Sequence, residues 1–213
     1  MVSSLPRALT ETEYTGLKSN RCFSAVIFDY SVLIFDLQKS KKPRYNSRTR
    51  SGIMDCTFMT ELGKFNYRVG VIIHSGRKVL MARNPNEERA FYYSVGGRVR
   101  FGESMEEAVL RELKEETGID CELDRLAAIH ENFFTDDDGV FFHEISCFFT
   151  VKPNERLLQI KDGTRTDGGP DGEYLEWIDL DKSDNITIYP DFYRTMDFEN
   201  DREVKHFISR EQA

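Results

Sequence analysis

The sequence has few cysteines, no long uninterrupted apolar run and no excess of positive charge. Each shortage excludes something. The four cysteines, Cys22, Cys56, Cys121 and Cys147, include no CxxC pair, and none stands beside a histidine at ligand spacing. This speaks against a zinc site and a disulfide framework, and it predicts reduced thiols in a cytoplasmic protein. The most apolar early stretch, Cys22 to Leu37, is interrupted by Asp29 and carries Asp36 near its end. It is shorter than the roughly 20 apolar residues a membrane span needs. It also lies too far from Met1, and lacks the small-residue cleavage pattern, to read as a signal peptide. Lys and Arg number 29 against 37 Asp and Glu, a formal net charge of −8. A chain so acidic lacks the clustered cations that hold nucleic acid by its phosphates. It can still take a small phosphorylated ligand if a divalent metal supplies the positive charge.

What is present suggests one domain with an appendage. Hydrophobic residues make up 39% of the 213, enough for a sizeable core. Residues 1–53 differ from the rest: a polar start, the apolar stretch, then the basic run Lys39 to Arg50, which reads as a solvated linker. We expect these residues to be a poorly ordered extension outside the domain, and residues 54–213 to be the domain itself. From Met54 onward the pattern is orderly. Phe65 to Gly76 reads as strand and turn, Lys78 to Arg83 as a second strand, and Ala90 to Gly97 as a third. Cys121 to Phe134 is strand-like, Asp138-Gly139 signals a hairpin, and Val140 to Val151 is a long strand. A loop over 165–172 leads to a strand over 173–180, and a short helix is expected over about Glu203 to Arg210. Strands, one helix, then strands predict an α+β domain with a mixed sheet packed against helices.

The helix lies in the middle of the chain. Ser104 followed by Glu107 is a capping box, and Gly118 supplies the left-handed C-terminal cap, so the helix should run from about Met105 to Thr117. The stretch Gly96 to Ile119 holds six glutamates. At about 100° per residue, Glu112, Glu115 and Glu116 share one face. Met105, Val109, Leu110 and Leu113 form a neighbouring apolar arc, and the small Ala108 lies on the carboxylate side. Arg111 can pair with Glu107 or Glu115. Like charges at helical neighbours repel by a few tenths of a kcal/mol per pair. Either the face is simply solvated or the carboxylates share a cation. Mg²⁺ or Mn²⁺, which prefer oxygen ligands, would suit. The paired Gly96-Gly97 before the helix permits a sharp turn and brings a carbonyl close to a ligand.

These residues resemble the Nudix box, GX5EX7REUXEEXGU with U a bulky aliphatic residue. Gly97, Glu103, Arg111, Glu112, Leu113, Glu115, Glu116, Gly118 and Ile119 fill every fixed position. The flanking pattern from about Thr57 to Leu180 is also similar to a Nudix domain. The resemblance implies an α/β/α sandwich around a mixed β-sheet. It implies Mg²⁺- or Mn²⁺-dependent cleavage of a pyrophosphate bond in a nucleoside diphosphate linked to another group. It further implies Glu115, Glu116 and the Gly96 carbonyl as metal ligands, and Glu112 as a further ligand or the base that activates water. Arg111 and Glu103 are then a structural ion pair, and a homodimer follows by resemblance only. Alternatives are an ADP-ribose or sugar-nucleotide pyrophosphatase and, of another class, a non-catalytic nucleotide-binding sensor. The chain departs from the family in small ways. Val95 stands where many members have proline. The coenzyme A and NADH signatures are missing, and Phe133 and Phe134 stand where some ADP-ribose hydrolases carry proline.

Other residues compete for a place at the site. Phe133 can stack on a base or pack in the core. Glu144 shares a strand face with Phe142, Ser146 and Phe148, and is either an addition to the site or half of an ion pair. Asp167, Asp171 and Glu173 sit in a loop that can offer a carboxylate. Arg83, Arg98 and Arg100 can each hold a phosphate or lie on the surface.

Overall fold

A computed structural model describes residues 54–85, 91–166 and 172–211. The expectation for residues 1–53, and the candidates Asp167 and Asp171, lie outside the described residues. Twelve strands and two α-helices follow one another there, in this order. They are β1 (Thr57–Thr60), β2 (Gly63–Ile72), β3 (His74–Ser75), β4 (Lys78–Arg83), β5 (Phe91–Ser94) and β6 (Gly96–Arg98). Then come α1 (Met105–Thr117), β7 (Leu123–Thr135), β8 (Phe141–Val151), α2 (Glu155–Leu158), β9 (Thr164–Arg165), β10 (Tyr174–Asp179), β11 (Thr187–Tyr189) and β12 (Lys205–Arg210). Short 3-10 turns cover Leu180–Lys182 and Asp191–Arg194.

The strands form two mixed sheets. The first has the order β1-β2-β8-β7-β12, with β6 also on β2. The second has the order β11-β5-β4-β10-β9, with β3 also on β4. Two apolar clusters hold them, each drawing on both sheets. One unites Val69, Val71, Leu80 and Leu175 with Ala108, Val109 and Leu113 of α1 and Leu157 of α2. The other unites Ile72, Met81 and Phe148 with Phe192, Tyr193 and Phe198 of the C-terminal segment. The architecture is the expected α+β sandwich.

The helix has the expected bounds. Glu107 N–H donates to Ser104 Oγ, Ser104 N–H donates to Glu107 Oε2, and Gly118 takes φ 71°. Its packing differs in detail. Ala108, expected beside the carboxylates, is fully buried, whereas Leu110 is only half-buried. The reason is angular. At about 100° per residue, Met105, Val109, Glu112 and Glu116 lie within one arc, with Ala108 and Leu113 at its flanks. The helix docks along that arc, so two glutamates face inward.

One expected element is corrected. Residues 203–210 are not a helix: Lys205–Arg210 is strand β12, paired in parallel with β7. Its burial alternates residue by residue, with Lys205, Phe207 and Ser209 the more covered side chains. Phe207 stacks on Phe192 at 4.1 Å, and Ser209 Oγ meets His130 Nε2 at 2.8 Å. A period of two overrides helical propensity when a sheet edge is there to receive it.

Candidate active site

The site grows from the β6 to α1 connection. The backbone at Gly96 has φ 147°, and a Cβ there would stand 2.2 Å from the Val69 carbonyl oxygen. Only glycine lets β6 approach β2 so closely. At Gly97 the added Cβ would meet the Glu112 carboxylate at 2.4 Å. The second glycine therefore makes the space in which that carboxylate lies.

Arg111 organises the acidic residues around it. Its Nε and Nη2 donate to Glu103 Oε1 and Oε2 at 2.7 and 2.8 Å, and Nη2 also donates to the Arg98 carbonyl at 3.1 Å. Its Nη1 donates to Glu112 at 2.5 Å and to Glu115 at 3.3 Å. Of the two pairings open to Arg111 along the helix, the one with Glu115 forms, because Glu107 is occupied by the cap. The Arg111 bonds hold the Glu103 carboxyl below the usual glutamate range.

Glu116 has no such partner. Gly96 N–H donates to its Oε1 at 3.1 Å, while its Oε2 is buried without a hydrogen bond. Burial above all, then the nearby charges of Glu173 and Glu112, push this carboxyl up to about 8, against the Gly96 hydrogen bond and Arg68, which lower it. Among the described residues, no three His, Cys, Asp or Glu side chains stand gathered as a finished metal cage. Arg111 takes up charge from Glu112 and Glu115 instead. The donor set still fits a hard divalent cation. Three carboxylates occupy one turn of helix, and one of them has a buried oxygen that lacks any partner.

A shallow cavity of about 300 Å³ opens here, lined by Asp55, Arg68, Gly97, Arg98, Arg100, Glu112 and Glu115. The structure thus brings Gly96, Gly97, Arg98, Glu103, Glu112, Glu115 and Glu116 together, with Glu173 close enough to act on Glu116. Arg100 donates to Glu115 at 3.5 Å. Glu144, largely buried, accepts from Asn66 at 3.2 Å and from Ser146 at 3.3 Å, and stands 3.9 Å from Arg68. Arg83 lies on the second sheet, 3.9 Å from Glu176, and does not line the cavity. Nor does Phe133, which packs 4.5 Å from the His143 ring with Arg210 over its other neighbourhood at 4.0 Å. Sequence reasoning missed Arg68, Asn66 and Asp55. The signal for the first two was the alternation of β2, which puts 66, 68 and 70 on one face.

The fold and this site define a class. The profile of the NUDIX domain matches residues 64–197, and the chain belongs to that family. An ADP-ribose pyrophosphatase of Methanocaldococcus jannaschii is 32% identical over 111 residues, which are 52% of this chain and 59% of that protein. The NAD-capped RNA hydrolase NudC of Vibrio atlanticus is 40% identical over 50 residues, 24% of this chain and 19% of that protein. The human mitochondrial NAD(P)H pyrophosphatase NUDT13 is 32% identical over 90 residues, 42% of this chain and 24% of that protein. The chain therefore spans between 19% and 59% of the length of these relatives. The mutator MutT protein of Bacillus halodurans shares the fold, with a TM-score of 0.51 at 22% identity, covering 68% of this chain and 90% of that one. Nudix hydrolases in general use divalent metal ions. Among the described residues, no helix is long and apolar enough to cross a membrane.

Proposed function

We propose that the chain is a Mg²⁺- or Mn²⁺-dependent hydrolase that cleaves a pyrophosphate bond in a nucleoside diphosphate linked to another group. The observation that carries this is the buried Glu116 carboxylate, with one oxygen unpartnered, beside Glu112 and the paired glycines. Glu115, Glu116 and the Gly96 carbonyl would hold the cation, with Glu112 as a further ligand or the base. When bound, the cation neutralises phosphate oxygens and lowers the pKa of a coordinated water.

The chain's own residues do the rest. Water oxygen bonds to one phosphorus, the bridging P–O bond breaks, and the leaving phosphate departs with the electron pair. Glu112 takes the water's proton. Arg111 occupies its Oε1, which leaves Oε2 to accept it. Glu103 anchors Arg111 so that Glu112 and Glu115 stay in place. Glu173 adds negative charge near Glu116. The relatives named as pyrophosphatases support a nucleotide-type substrate. We assign the catalytic domain to residues 54–213, infer a cytoplasmic location from the cysteine pattern, and infer a homodimer from the family resemblance.

The test is Mg²⁺-dependent product release from a panel of nucleotides, nucleotide sugars and dinucleotides, with Glu116→Gln alongside. Turnover reduced about 10²- to 10⁴-fold by the substitution is expected. Tight binding of one compound with no turnover of any would replace the hydrolase by a sensor.

A further inference from the structure

Two arginines face each other across the short antiparallel pairing of β2 and β6: Arg68 lies directly opposite Arg98. Residues paired in this way leave the same face of a sheet, and like charges so placed destabilise the pairing. Among the described residues each of the two has one ion pair, and both ion pairs are long. The nearest carboxylate to Arg68 is Glu144, 3.9 Å from Nε, and the nearest to Arg98 is Asp55, 3.6 Å from Nη1. Both contacts are too long to be hydrogen bonds. Arg98 Nε is buried without a partner. The neighbouring Arg111, by contrast, directs its donors onto three carboxylates and a carbonyl. Both Arg68 and Arg98 line the cavity beside Glu112 and Glu115, and the charge of Arg68 reaches Glu116.

We propose that Arg68 and Arg98 form a clamp for a phosphate of the substrate, and that the clamp selects a terminal phosphate. A repelling pair with unused planar forks is relieved when an oxyanion sits between the two guanidiniums. The two phosphates of a nucleotide sugar or a dinucleotide are bridged on both sides and carry one charge each. A terminal phosphate carries −1.5 to −2 near neutral pH, with three free acceptor oxygens. Two adjacent cations match that charge and that number of acceptors. The substrate class is then a nucleoside polyphosphate, in which the group linked to the nucleoside diphosphate is itself phosphate. This deepens the hydrolase reading, and it rests on that reading for placing the reacting bond beside Glu112 and Glu116.

The experiment is calorimetric titration of the full chain, with Mg²⁺ present, using inorganic tripolyphosphate and ADP-ribose as probes. Wild type should bind tripolyphosphate more tightly. Arg68→Met and Arg98→Met should each weaken tripolyphosphate about 10- to 100-fold, the range expected for a charged hydrogen bond lost. ADP-ribose should change far less, and Arg68→Lys should recover part of the loss. Melting temperatures of the Met variants should stay level or rise, since each removes half of a repelling pair. Equal affinity for the two probes in wild type, or unchanged tripolyphosphate affinity in both Met variants, overturns the clamp. The panel assay with Glu116→Gln separates the two readings. Glu116-dependent turnover without the arginine effect sinks the clamp alone. Arginine-dependent binding of tripolyphosphate without turnover of any nucleotide sinks the hydrolase and leaves the anion site standing.

Discussion

Arg111 grips Glu103 with one edge of its guanidinium, Nε and Nη2 donating at 2.7 and 2.8 Å, and so ties helix α1 to the loop that precedes it. Both side chains are largely buried. Glu103→Gln keeps the shape but turns a charged acceptor into a neutral amide, at a cost of about 1–3 kcal/mol. For a domain of this size the melting temperature should fall by roughly 2–4 °C per kcal/mol. The sign of the pH dependence follows from the lowered Glu103 carboxyl. Its stabilisation is present above the ordinary glutamate value and is lost as pH falls through the lowered one. Acid unfolding of wild type and Glu103→Gln should therefore converge at low pH, which melts read by circular dichroism will check.

Glu116 titrates in the opposite sense. Its carboxyl is raised from 4.5 to about 8, so between those values the folded state binds a proton that the unfolded state has lost. In metal-free protein this contribution is full below 4.5 and disappears as pH rises to 8. Urea unfolding in EDTA from pH 5 to 9 should show wild type losing stability across that window, whereas Glu116→Gln should be flatter. A wild type with no such slope would contradict the burial of Glu116.

The two glycines should separate fold from activity. Gly96→Ala sets a side chain against backbone at φ 147°, 2.2 Å from the Val69 carbonyl oxygen. It should cost at least about 1–3 kcal/mol in strain. Gly97→Ala meets instead the end of the Glu112 side chain. That side chain can swing away, so stability should change little. A displaced Glu112 should nonetheless cost about 10²-fold in turnover. Thermal melts and steady-state rates on the same two variants distinguish the cases.

The C-terminal strand should contribute to stability. Phe207 is half-buried and stacks on Phe192 at 4.1 Å. Phe207→Ala should cost about 1–3 kcal/mol. Hydrogen exchange should report faster opening of β12 and of the edge of β7 that it covers.

The boundaries of α1 were legible because its signals are local. Ser104, Glu107 and Gly118 act within one turn of the helix they end, so no distant residue is needed to see them. Strand β4 was legible for a similar reason, since a turn at Ser75-Gly76 and an apolar run fix it. Strand β12 was misread because Lys205 to Arg210 is too short for periodicity to decide between states. Only β7, more than seventy residues earlier in the chain, offers the hydrogen-bonding edge that makes it a strand.

The acidic face shows the same division. The sequence by itself determined that Glu112, Glu115 and Glu116 share a helix face, because the 3.6-residue repeat is a property of the backbone. It determined family membership in the same way, through residues at fixed spacing. Which glutamate is buried was decided by how the helix docks: Glu116 lies in the packed arc and Glu115 outside it. The pairing of Arg68 with Arg98 was likewise decided by tertiary structure, since register between β2 and β6 depends on Gly96 allowing the strands to meet. Local geometry is written in neighbouring residues, whereas burial and cross-strand contact depend on atoms that only the folded chain brings together.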